Sequence, residues 1–303
     1  MANPLPKADG TRNMRTRLMA YAKMMRLHRP IGTFLLLWPL LWALWIAADG
    51  VPNLDVLAVF LIGTILMRSA GCVINDYADR NFDGHVKRTA DRPLANGQAT
   101  PNEALVLFAI LLLSAALLVF TQNLLTVKLA FVGAALAIIY PFMKRYTYFP
   151  QVYLGAAFGW AVPMAFAAQT NGLPRMAWLI FTAAVIWALI YDTQYAMVDR
   201  EDDIKIGVKS TAILFADLDY KVVAGFQALM IFNLALIGRE MSFGYPYWLA
   251  LFVCAVLATH QHRLIKTREP TQCFKAFLNN NWYGAVVFVG IVLSTILKNS
   301  ALP

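Results

Sequence analysis

Charge is what this sequence has least of. Acidic and basic residues together fill 14% of the 303 positions while 59% are hydrophobic, too little polar surface for a water-soluble domain of this length. Cysteine is scarcer still. Cys72, Cys254 and Cys273 are odd in number, far apart, and lack any CxxC or Cys/His spacing, so no disulfide and no cysteine-ligated metal is expected. The four histidines, His28, His85, His260 and His262, are poor material for a transition-metal centre, and the closest two stand on different sides of a helix. Acidic residues number 17 against 26 Lys and Arg, for a net charge of +9. That excess is accounted for by membrane topology and anionic headgroups, and nucleic acid is set aside as a partner.

What the sequence has in abundance is long apolar runs. Windows able to cross a hydrocarbon core of about 30 Å fall near 31–48, 54–74, 101–120, 124–141, 150–168, 176–198, 219–238, 245–264 and 281–297. The first, IGTFLLLWPLLWALWIAA, is too long for the apolar region of a cleaved signal peptide. The expected fold is therefore all-α, a polytopic membrane protein of nine transmembrane helices in contact with the lipid bilayer. Residues 1–30 form a basic amino-terminal arm and 31–303 a single transmembrane domain. Within the arm, Met14, Leu18, Tyr21 and Met25 recur at helical spacing, which predicts a helix lying in the interface; residues 1–12 read equally well as a disordered tail. Of the 26 Lys and Arg, 21 fall in the arm and in alternate connections. The positive-inside rule then puts the amino terminus in the cytoplasm and the carboxyl terminus outside.

The scarce charge is concentrated. In GCVINDYADRNFDGHVKRTADRP, residues 71–93, Asn75, Asp79 and Asp83 are four apart and share a face if the helix continues, with Asp76 beside them. Clustered carboxylates repel unless a divalent cation binds among them, and Mg²⁺ takes one or two carboxylates while keeping water and phosphate ligands. A second cluster, YDTQYAMVDREDDIKIGVKST at 191–211, places Asp192, Tyr195, Asp199 and Asp203 on one helical face. The clusters follow the second and sixth spans, each trailed by a basic turn, VKRT or VKST. This pattern suggests two four-helix repeats plus one further helix, with the acidic faces opposed across a central cavity. Arg68 precedes Asn75 on the same face, within a span where unpaired charge is costly. Taken singly, each cluster also reads as a solvated loop.

NDYADRNFD and DTQYAMVDREDD resemble the two aspartate motifs of the UbiA superfamily of intramembrane prenyltransferases. HRPIGTFLLLWP, YPFMKRYTYFPQ and CFKAFLNNNWYG extend the likeness over about residues 26–290, toward the branch that acts on 4-hydroxybenzoate. The resemblance implies a nine-helix bundle around a central cavity, a Mg²⁺ cofactor, a long polyprenyl diphosphate donor and 4-hydroxybenzoate as acceptor. The prenyl group would join the ring carbon ortho to the hydroxyl, in ubiquinone biosynthesis, at the bacterial inner membrane. By motif position Asn75, Asp79 and Asp83 would hold one Mg²⁺ and Asp199 and Asp203 another, the four aspartates being catalytic. Asp76, Asp192 and Tyr195 would support them. Arg88, Arg92 and Lys209 would bind diphosphate, although each also reads as an ordinary positive-inside residue. Arg145, with Arg68 behind it, would hold the acceptor carboxylate. Gly155 and Gly159 read first as close helix packing. A secondary transporter is the competing class, but it would require ionisable groups toward both membrane faces, whereas these gather at one.

Overall fold

The computed structural model describes residues 13–81, 83–85 and 89–300. Among these every regular element is helical: α1 (Met14–Met24), α2 (Ile31–Ala48), α3 (Leu54–Asp79), α4 (Pro101–Val119), α5 (Leu124–Met143), α6 (Pro150–Gly159), α7 (Ala161–Thr170), α8 (Arg175–Val198), α9 (Arg200–Ile206), α10 (Thr211–Phe215), α11 (Asp219–Glu240), α12 (Tyr245–Ile265) and α13 (Pro270–Ser300). Single 3-10 turns stand at Asp83–His85 and Ala216–Leu218. Nine segments among the described residues are long and apolar enough to cross a membrane; α6 with α7, and α10 with α11, each make one. The chain is a multi-pass membrane protein.

Local chemistry starts and stops these helices. Thr100 and Glu103 form a reciprocal capping box at α4, with Pro101 in the first turn where its missing N–H costs nothing. The Asn123 side chain accepts from the Thr126 N–H at 2.9 Å and caps α5. The fifth span divides at Trp160 because Pro163 has no N–H to offer the Gly159 carbonyl. The last helix begins at Pro270, well before the apolar window near 281, since CFKAFLNNN looks polar yet buries Cys273, Ala276, Phe277 and Asn280.

The described residues divide into two compact units, 13–33 with 62–121 and 34–61 with 122–300. In the first, Met24 of α1 joins Ala70, Val73, Leu94, Ala99, Ala104 and Leu111 in one core cluster. The Tyr21 hydroxyl donates to Glu103 Oε1 at 2.9 Å. The arm is helical over Met14–Met24, but it packs on protein through Ala20 and Met24, with Tyr21 and Met25 beside them, while Met14 and Leu18 are exposed. Gly32 opens α2 beneath the Arg68 side chain; a Cβ there would lie 2.6 Å from Arg68 Nε.

In the second unit the two glycines of α6 bring it against α8. A Cβ on Gly155 would stand 3.0 Å from Ala188 Cβ, and one on Gly159 3.1 Å from Ala184 Cβ, the small-residue contact expected of Gly-x-x-x-Gly. A buried amide chain then fixes α8 to α11, α12 and α13. Trp187 Nε1 donates to Asn280 Oδ1 (3.1 Å), Asn280 Nδ2 to Gln194 Oε1 (2.7 Å), and both Gln194 Nε2 (3.1 Å) and Gln227 Nε2 (2.9 Å) to Gln261 Oε1. With no water in the hydrocarbon to satisfy amides, such partners have to come from neighbouring helices.

Candidate active site

The first acidic motif closes α3. Asn75, Asp76 and Asp79 lie on its last turns, and the helix ends at Asp79. The single continuing face expected through Asp83 is therefore corrected: Asp83 opens a 3-10 turn, and its backbone carbonyl accepts from the Thr89 hydroxyl at 2.9 Å. The carboxylates are nonetheless gathered. Asp76, Asp79 and Asp83 are 0%, 3% and 6% exposed, and Arg92 reaches both Asp83 Oδ2 (2.8 Å) and Asp76 Oδ1 (3.1 Å). Arg26, from just beyond α1, donates to the same Asp76 oxygen at 2.7 Å. Burial, opposed by Arg92 and reinforced by the charges of Asp79 and Asp76, pushes the Asp83 carboxyl up to about 6. Arg88 lies outside the described residues.

The second motif straddles a helix break. Asp192 and Tyr195 sit near the end of α8, Asp199 is the junction with helical geometry lost (φ −101°, ψ 6°), and Asp203 lies in α9. The expected unbroken face is thus interrupted, although the Asp203 N–H still donates to the Asp199 carbonyl at 2.9 Å. Lys205 pairs with Asp202 at 3.2 Å. Arg200 turns to Asp219, a fully buried aspartate at the start of α11. The Tyr195 ring lies 4.7 Å from that of Phe277.

Two basic candidates meet in this unit. The Lys209 N–H donates to the Lys144 carbonyl at 2.9 Å and its ammonium to the Tyr146 carbonyl at 3.3 Å. Arg145 is exposed on the same connection, its guanidinium 5.6 Å from the centre of the Phe142 ring. Lys209, assigned by motif to the diphosphate, and Arg145, assigned to the acceptor, are thus neighbours. Apart from these groups, a cavity of about 550 Å³ lined by Ile46, Phe166, Pro174, Met176 and Met241 adjoins the opposite end of α8 and has no part in the acidic chemistry.

Among the described residues no three Asp, Glu, His or Cys side chains converge at metal-coordinating range. In the first motif an arginine nitrogen lies between Asp76 and Asp83. The donor chemistry fits Mg²⁺ all the same: the side chains are hard oxygen donors, and Asp76 Oδ2 is buried with no hydrogen-bond partner among the described residues. A buried carboxylate oxygen left so calls for a cation. Arg26 was missed in the sequence, where it passes for one more basic residue of the arm. Asp219 was missed because a single aspartate at the start of an apolar run carries no motif.

Residues 36–288 match the UbiA prenyltransferase family. The chain is 60% identical over 280 residues to a 4-hydroxybenzoate octaprenyltransferase of Nitrosococcus oceani, covering 92% of this chain and 98% of that one. It is 56% identical over 286 residues to the protein of that name from Saccharophagus degradans, covering 94% and 96%. Two solved structures share the fold. One is a UbiA homolog from Aeropyrum pernix (TM-score 0.77, 20% identity, 88% of this chain and 98% of that one). The other is a UbiA homolog from Archaeoglobus fulgidus bound to GPP and Mg²⁺ (TM-score 0.72, 16% identity, 92% and 99%). With nine apolar membrane-length segments among the described residues, two acidic motifs at helix ends and a family match spanning most of its length, the chain belongs to the UbiA prenyltransferase family.

Proposed function

We propose that this prenyltransferase joins a polyprenyl group from polyprenyl diphosphate to the carbon of 4-hydroxybenzoate ortho to the hydroxyl, giving 3-polyprenyl-4-hydroxybenzoate and diphosphate. The observation that carries this reading is the burial of Asp76, Asp79 and Asp83 at the end of an apolar helix, with Arg92 between two of them. Such a cluster is costly unless cations answer it, and its natural ligand is a metal-bound polyanion. The acceptor is supported by the relatives, which are 4-hydroxybenzoate octaprenyltransferases by name.

Asn75, Asp79 and Asp83 would hold one Mg²⁺ and Asp199 and Asp203 a second, with Asp76 and Asp192 supporting. Bound there, Mg²⁺ supplies positive charge to a departing diphosphate. Arg92 neutralises Asp76 and Asp83 and can exchange them for phosphate oxygens, which accept the same forked donors. Lys209 and Arg88 are further diphosphate ligands. An allylic carbon losing diphosphate becomes cationic, and the ring faces of Tyr195 and Phe277 stabilise such a charge while excluding water. Arg145 holds the acceptor carboxylate, with Arg68 the second candidate. The ring hydroxyl raises electron density at its ortho carbon, which attacks the allylic carbon as the diphosphate departs, and the ring proton then passes to a base, either the released diphosphate or an aspartate of the first motif. The distribution of Lys and Arg supports a bacterial inner-membrane protein with the amino terminus and both motifs cytoplasmic and the carboxyl terminus outside.

The test is to incubate membranes containing the protein with labelled polyprenyl diphosphate, Mg²⁺ and a panel of 4-hydroxybenzoate, a dihydroxynaphthoate and haem. Label should appear in 4-hydroxybenzoate. Label in another acceptor alone would overturn the substrate assignment and leave the family standing.

A further inference from the structure

We infer that the outward face of α1 is a binding surface for anionic phospholipid of the protein's own membrane, and that seating on it holds Arg26 against Asp76. The helix has two unlike sides. Ala20 and Met24 are buried, and Arg17 reaches Glu103 at 3.6 Å. Away from that contact Met14, Leu18 and Met19 are 71%, 58% and 51% exposed, and Leu27, just beyond the helix, is 54% exposed. Four large apolar side chains bared on one short segment call for a cover. Charge identifies it. Residues 13–30 hold Arg15, Arg17, Lys23, Arg26 and Arg29 and no acidic residue. Arg17 and Arg26 pair with carboxylates, whereas Arg15, Lys23 and Arg29 form no ion pair among the described residues. Burial, and then the charges of Arg29, Arg26 and Lys23, lower the pKa of His28, so these cations are crowded together.

Bare apolar side chains interleaved with unpaired basic ones suit the headgroup layer, where the cations meet lipid phosphates and the apolar groups enter the acyl boundary. The position fits. Tyr21 and Arg17 meet Glu103 in the first turn of α4, and Arg26 meets Asp76 in the last turn of α3, so α1 is docked where two spans leave the hydrocarbon. An acidic protein segment would answer the cations and leave the apolar groups bare. The link to the first motif runs through one carbonyl. Arg26 leaves α1 with left-handed backbone (φ 57°), and its guanidinium donates both to the Lys23 carbonyl (2.8 Å) and to Asp76 Oδ1 (2.7 Å). Lys23 belongs to the last turn of α1. A helix held on the headgroups therefore keeps Arg26 aimed at Asp76, and a helix that lifts away takes that acceptor with it.

The lipid surface stands apart from the prenyl-transfer reading, while its effect on rate rests on that reading. The full-length protein is placed in nanodiscs of phosphatidylcholine alone or mixed with phosphatidylglycerol, and amide exchange over residues 14–24 is measured alongside prenyl transfer to 4-hydroxybenzoate. Exchange should be slower in the anionic discs, and the difference should shrink at high salt. There Lys23→Gln should speed exchange about fivefold, the scale of one basic residue near an anionic surface, and Leu18→Ser should speed it too. Wild-type kcat/KM should be about threefold to tenfold higher in anionic than in neutral discs, the scale of one cation lost from a carboxylate that keeps another. Arg26→Gln should keep the exchange difference and lose the rate difference. Equal exchange in both discs would overturn the lipid surface, and a soluble polyglutamate that slows exchange in neutral discs as well as phosphatidylglycerol does would reassign the face to an acidic partner. Lipid-dependent exchange with a lipid-independent rate, or Arg26→Gln that keeps the rate difference, would overturn the coupling to Asp76. Lipid-dependent exchange without transfer to 4-hydroxybenzoate would overturn the prenyl-transfer reading, and the coupling with it, and leave the surface standing.

Discussion

The two acidic motifs resemble each other in sequence and differ in how the fold handles their arginines. In the first, arginines are placed on the carboxylates: Arg26 and Arg92 both reach Asp76, and Arg92 also reaches Asp83. In the second, the arginine built into the motif is drawn off to Asp219. Burial accounts for the difference. Asp76, Asp79 and Asp83 are buried, whereas Asp192, Asp199 and Asp203 are all partly exposed. Buried carboxylates call for counter-cations more strongly than partly solvated ones do. Two similar spacings thus end in different degrees of burial.

The largest effect should come from removing a carboxylate outright. Asp79→Ala or Asp199→Ala should each lower kcat on the order of 10²- to 10³-fold, the loss typical of one group stabilising developing charge. Equal losses would show the motifs to be equivalent in catalysis despite their different surroundings. A loss confined to Asp79 would show that only the buried motif is used. Next in size is Arg145→Ala, which should weaken 4-hydroxybenzoate binding by about ten- to a hundred-fold, the loss of a charge-assisted hydrogen bond. Binding of a non-reactive prenyl diphosphate analogue should change little. A shift in the diphosphate curve instead would move Arg145 to the leaving-group side. Arg145→Lys should rescue only partly, because an ammonium lacks the guanidinium fork.

Smaller effects sharpen the contrast within the first motif. Arg26→Gln removes one of two cations from Asp76 and should lower kcat/KM by about threefold to tenfold while Arg92 remains; no change would make Arg26 a mere tether of the arm. The raised Asp83 carboxyl also carries a pH signature. Its value of about 6 in the fold exceeds the ordinary 3.8, so the folded state binds this proton more tightly than the unfolded chain. The stability it contributes is complete below the ordinary value and is lost as pH rises through about 6. In EDTA, melting temperature should therefore fall between about pH 4 and pH 6, and Asp83→Asn should flatten that slope.

Much of this was legible in the sequence, and the failures have physical causes. The nine spans among the described residues follow from apolar runs that nothing else can shelter, and Gly155 and Gly159 meet α8 as their spacing implied. The helical face through Asp83 was over-extended because spacing alone cannot register that α3 stops at Asp79. Likewise Asp199 sits at a break that no proline or glycine announces. Arg26 lies 50 positions from Asp76 in the chain, and its basic surroundings gave reason enough for its charge. The amide chain through Gln194, Gln261 and Asn280 was equally hidden, since each amide has its meaning only through a partner on another helix.

The central claim, that the acidic motifs work through a divalent cation, is tested most directly by the rate of prenyl transfer to 4-hydroxybenzoate against free Mg²⁺ at fixed pH. Turnover should vanish in excess EDTA and return on adding Mg²⁺ beyond the chelator, whereas full activity in EDTA would contradict the account.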